Sequence, residues 1–192
     1  MIVYSTKETI KQFDIKMSQS LPYPKNEAAQ AIIDREGGDE LLKWSAKYFE
    51  FDGKKCMQIM NMASMFTLFL MDVGRVELHY IGNMMANYIH DVYENDTEML
   101  RAVEKMFEKT GGICHTALND TNVLMMMTQI QLKFALNGRR FYDYVENGVL
   151  KTAEINKTFN RQWPVRISVD GADEEFVPAD KFRELMVARF GE

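Results

Sequence analysis

A chain of 192 residues is long enough for one substantial core, and 46% hydrophobic with 27% charged residues excludes a disordered segment. The formal charge of -5 argues against general coating of nucleic acid and suits a basic partner or a freely dissolved protein. Two cysteines, and no basic start followed by an apolar run, point away from secretion and toward the cytoplasm.

In chain order, "MIVYS" reads as a strand. Ser5 and Glu8 then form a capping box for a helix reaching about Phe13. Pro22 and Pro24 make "SLPYPKNE" a loop, and "EAAQAIIDRE" is a short helix stopped by Gly37 and Gly38. Trp44 to Asn61 reads as a hairpin around Asp52-Gly53, because both central positions of a type I′ turn need positive φ. That turn sets Phe51 opposite Lys54 and Glu50 opposite Lys55. One face then carries Trp44, Ala46, Tyr48, Met57 and Ile59, the better core candidate. The other is mixed, with Ser45, Lys47, Phe49, Phe51, Cys56, Gln58 and Met60.

Beyond the hairpin, Asn61 or Ser64 is expected to cap a small apolar helix, "MFTLFLM", ending at Gly74. The apolar stretch containing it, "MASMFTLFLM", is about ten residues and too short to span a bilayer, so no membrane partner is expected. Leu78 to Glu94 is an amphipathic helix with Leu78, Ile81, Met84, Met85, Tyr88, Ile89 and Val92 at helical spacing. Thr97 caps the next helix, whose stripe is Met99, Val103, Met106 and Phe107. The long helix after Asn119 or Asp120 is apolar on most sides and is expected to be central. "GVLKTAEINKTFNRQW" is a helix, "PVRISVD" a strand, and "DGADEE" a solvated loop. Pro178 opens a final helix with Phe182, Leu185, Met186 and Phe190 on one face. Together these predict one α+β domain over residues 1–192: a small, mainly antiparallel sheet of N-terminal strand, central hairpin and late strand, covered by about seven helices.

"W-S-A" (44–46), "D-G-K-K-C" (52–56), "N-M-A-S-M-F-T" (61–67) and "A-L-N-D" (117–120) resemble the pattern of an uncharacterised bacterial and phage domain family. Ser64, Met65 and Thr67 stand where that pattern more often has Thr, Leu and Ser. The resemblance covers about Trp44 to Thr158. It implies a phage or mobile-element setting and supplies no activity, cofactor or catalytic residue.

Four constellations of residues could carry chemistry. His79 and His90 share a helix face about 16 Å apart and cannot hold one ion; no zinc motif exists, so no metal and no cofactor are expected. Cys56 or Cys114 with His115 is a conceivable nucleophile and base, although adjacent Cys114 and His115 point apart in an extended segment. Asp91 and Glu94 beside His90 make a carboxylate cluster of the kind common on wet helix faces. Arg139, Arg140, Phe141 and Tyr142 after the long helix, with Arg161 and Trp163, form the best candidate binding residues, since arginines and aromatics together hold phosphates and stack bases. The expected function is therefore a non-enzymatic binding or regulatory protein acting through a protein partner. The alternatives are a nucleic-acid-binding accessory and a small Cys/His hydrolase or transferase.

Overall fold

The computed structural model describes residues 1–110, 112–136, 140–169 and 172–191. Among these, β1 (Ile2–Ser5), α1 (Lys7–Phe13), α2 (Lys25–Glu36), β2 (Lys43–Phe51), β3 (Lys54–Asn61), β4 (Thr67–Leu70), α3 (Arg75–His79), α4 (Ile81–Val92) and α5 (Thr97–Lys109) form the first part of the chain. β5 (Cys114–Ala117), α6 (Thr121–Leu136), β6 (Val145–Glu146), β7 (Val149–Leu150), α7 (Thr152–Gln162), β8 (Val165–Val169), β9 (Ala172–Phe176) and α8 (Pro178–Phe190) complete it. The class is α+β, helices packed on a sheet, as expected.

The main sheet has five strands in the order β4-β3-β2-β1-β5. β2, β3 and β4 pair antiparallel, while β1 runs parallel to both β2 and β5. The hairpin register is the expected one: Phe51 faces Lys54, Glu50 faces Lys55 and Trp44 faces Asn61. Asp52 and Gly53 have φ of 53° and 70°, the signs a primed turn requires.

The sheet is thus mixed where a mainly antiparallel one was expected, because β1 enters between β2 and β5 in parallel, and further details differ as well. "MFTLFLM" is not a helix, because its centre is β4. The side chain of Asn61 organises a turn instead of a helix cap: Oδ1 accepts from the backbone N–H and the hydroxyl of Ser64, and Nδ2 donates to the Leu41 carbonyl at 2.8 Å. The Asn61 N–H then donates to the Phe66 carbonyl, reversing the chain into β4. All four β4 residues are buried, since both sheet faces are covered, so no alternation betrays a strand. The late strand β8 lies outside the main sheet and pairs with β9, so residues 172–176 of the acidic segment are strand and not loop. Asp173, Glu174 and Glu175 are exposed as expected, with Arg166 beside Asp173 and Glu175.

The Trp44 face holds the larger core. Trp44, Ala46, Met57 and Ile59 are fully buried there under α4, α5 and α8, with Phe182 stacked 4.6 Å from Phe66 and edge-on to Trp44. A tryptophan buried this way contributes roughly 4–6 kcal/mol of transfer free energy. α1 is fixed to β2 by Thr9, whose hydroxyl accepts from Tyr48 N–H at 2.7 Å and lies 3.3 Å from the Ala46 carbonyl. Its cap is Thr6, one residue beyond the expected Ser5, which belongs to β1. Asp96, not Thr97, caps α5 and binds Arg183 of α8.

The second face is covered by α6 and α7. α6 is not central. Met127 and Ile130 are buried, but Met125 is 56% and Leu132 54% exposed on its outer side. Its contact with the sheet is partly polar: Lys47 Nζ donates to Thr128 and Gln131, and Gln58 donates to the Met127 carbonyl. α7 closes the β4 edge with two asparagines. Asn156 exchanges hydrogen bonds with the N–H and carbonyl of Phe69, and Asn160 with those of Thr67. Four residues of helix and two of strand both span about 6–7 Å, so the amides meet the strand in step.

Candidate binding cleft

A cleft of about 880 Å³ opens beside the N-terminal ends of β1 and β5. α4 forms one wall. Its buried stripe of Ile81, Met85, Ile89 and Val92 enters the core, which turns Asn83, Ala86, Asn87 and His90 toward the cleft. α5 supplies Leu100, Val103, Glu104 and Phe107 opposite. The floor is apolar, built by Met1, Ile15 and Ile113. Gly82 lets α4 approach this floor: a Cβ there would stand 3.2 Å from Ile113 Cδ1.

All three histidines line this cleft. His79 and His90 are exposed on its rim. His115 is registered beside Val3 and so shares the Trp44 face of the sheet. Its Nδ1 is buried with no hydrogen-bond partner, and burial brings its pKa down to about 4. At neutral pH it is therefore a neutral imidazole, one donor and one acceptor. Asp14 pairs with Lys16 at 2.8 Å, which holds its carboxyl below the ordinary carboxylate range. Arg75 and Glu104, also in the lining, make no ion pair among the described residues. No three of His, Cys, Asp and Glu among the described residues converge as a metal site.

The thiols stand apart from this cleft. Cys56 is on β3 and His115 on β5, three strand spacings or about 14 Å apart across the sheet and about 16 Å apart along it, on opposite faces. Cys114 points away from its neighbour His115, with Sγ 3.6 Å from the Ala29 carbonyl. Burial raises the pKa of both thiols, which keeps them protonated and poorly nucleophilic. Neither Cys/His pair forms.

A family model described as a domain of unknown function, DUF6933, matches residues 2–180. The chain belongs to that family. No curated protein and no solved structure matches it. The family match extends well beyond the 44–158 region that carried the resemblance. The residues of that resemblance are structural in this family member: Trp44 anchors the core, Asp52-Gly53 makes the turn, and Asn61 ties three segments together.

Among the described residues, the predicted Arg/aromatic residues fall in different surroundings. Arg139 lies outside the described residues. Arg140 is exposed, and Tyr142 is exposed with its hydroxyl 3.2 Å from Asp52 Oδ1. Phe141 packs among Phe49, Phe51 and Phe69. Arg161 is engaged elsewhere: its Nε and Nη2 donate to the Val92 carbonyl at the end of α4, and its guanidinium lies over the Tyr93 ring. Trp163 meets Phe159, which meets Phe69. The two groups are thus joined through a shared aromatic core. In the carboxylate cluster, Glu94 lies beyond α4 and pairs with Lys157, with His90 still near enough to act on its charge. The cleft itself escaped sequence reading because its α4 wall is the helix's polar face, which by pattern alone reads as wet. The small residues Gly82 and Ala86 between His79 and His90 were the available signal.

Proposed function

We propose that this protein is a non-enzymatic binding protein acting through a protein partner, and that a segment of that partner occupies the cleft between α4 and α5. The observation that carries this reading is the cleft: about 880 Å³, apolar at its floor and polar at its rim. That size and composition are those of recognition sites. A nucleophile with a positioned base is what hydrolysis or group transfer by the cysteines needs, and the thiols lie away from the cleft on the other sheet face. The nucleic-acid alternative rests on Arg140 and Tyr142 alone among the described residues of the predicted patch. Two free cysteines suit a reducing compartment, here the cytoplasm. A phage or mobile-element origin belongs to the same reading and rests on the family resemblance.

The test is affinity capture from the producing cell with the parent and with Ala86→Phe, which places a ring in the cleft from a half-buried position. The expected result is a co-purifying protein that the folded variant loses. Equal recovery of that protein by both would move the interface elsewhere.

A further inference from the structure

The two edges of the main sheet are treated differently. At β4 the outward backbone groups of Thr67 and Phe69 are taken by Asn160 and Asn156. At β5 the Cys114 N–H donates to the Met1 carbonyl and the Leu118 N–H to that of Ser5. In a parallel ladder alternate residues face the same neighbour, so 114, 116 and 118 face β1 while His115 and Ala117 turn their N–H and carbonyl groups outward. Among the described residues, those outward groups make no hydrogen bond. His115 is also the residue whose side chain enters the cleft.

We infer that the cleft's occupant binds by strand addition: an extended segment of a partner protein pairs with β5 at His115 and Ala117. This rests on the proposed role of the cleft as a partner site. Cross-strand neighbours share a sheet face, so the incoming residue beside His115 sends its side chain into the cleft. The apolar floor selects an aliphatic or aromatic residue there. Arg75, whose charge also reaches the Asp14 carboxylate, and Glu104 select an acidic residue at one end of the segment and a basic residue toward the α5 wall. Main-chain bonds supply affinity and the alternating side chains supply specificity, as in other strand-addition sites.

The experiment selects binders from a displayed library of random decapeptides, keeping those displaced by Ala86→Phe-sensitive competition. The tightest binder is then synthesised with single N-methyl groups along its backbone. The expected result is a loss of about tenfold or more at alternate positions only, with little effect between them. Amide exchange gives a second reading. In the free protein the His115 and Ala117 amides exchange fast and those of Cys114 and Thr116 slowly; the peptide slows the first pair. Ala117→Pro removes one outward donor while sparing the β1 ladder, and it weakens the peptide by a similar factor. A cleft-dependent binder that tolerates methylation everywhere and leaves His115 and Ala117 unprotected overturns strand addition while the cleft reading stands. A library that yields no cleft-dependent binder overturns strand addition as well, whereas capture with Ala86→Phe judges the cleft reading separately.

Discussion

Gly53 occupies the second position of the hairpin turn with φ 70°, and a Cβ there would meet nothing within 4 Å. Any penalty for a side chain is therefore backbone strain, free of clashes. Gly53→Val should cost about 1–3 kcal/mol, because a β-branched residue resists positive φ. Equilibrium denaturation measures it, and unchanged stability would contradict the turn. This residue was legible in the sequence because the constraint is local: two turn residues fix a register, and the register fixes every facing pair of β2 and β3. Arg161 shows the opposite case. Its partners, the Val92 carbonyl and the Tyr93 ring, lie about seventy residues away in sequence, and no local pattern announces them.

At the scale of elements, α7 gives the sharpest expectation. Asn156 and Asn160 are fully buried and serve four backbone groups of β4. Asn156→Leu keeps the branching at Cγ but orphans the N–H and carbonyl of Phe69. A loss of about 2–4 kcal/mol is expected, with faster amide exchange at Phe69. Unchanged stability would mean that solvent satisfies that edge unaided. Helices are legible where one face is apolar, as in α4, α5 and α8, because burial on one side imposes a 3.6-residue period, although the helix expected over Leu78 to Glu94 divides at Tyr80 into α3 and α4 and leaves His79 on α3. β4 and α6 depart from the expected helix and central helix for a common reason. β4 is buried on both faces, so its pattern carries no period. α6 is apolar on both sides yet packs by only one, with Leu124, Met125 and Leu132 turned outward. Apolar composition alone does not say which side a helix buries.

For the whole molecule, His115 couples stability to pH. Its folded pKa of about 4 lies below the ordinary 6.5, so the unfolded chain binds more protons between these values. Stability is complete above about pH 6.5 and falls as the pH drops toward 4, by roughly 2 kcal/mol after allowance for partial exposure. Asp96 works in a lower window. Its hydrogen bond from Arg183 depresses its pKa, so that contribution is lost only as the pH falls below the ordinary carboxylate range. Denaturation across pH 4 to 7 should show the slope in the parent and a flatter profile in His115→Gln; identical profiles would remove His115 as the source.

The asparagine clasp has a consequence for stoichiometry. An amide side chain repeats the peptide group, so to the sheet α7 behaves as a sixth strand that offers nothing beyond itself. With β4 terminated in this way, the sheet has a valence of one. A partner's strand on β5 saturates it, and two copies meeting edge to edge would leave only clasped edges outside. Ribbons cannot propagate through the main sheet while Asn156 and Asn160 hold the β4 edge.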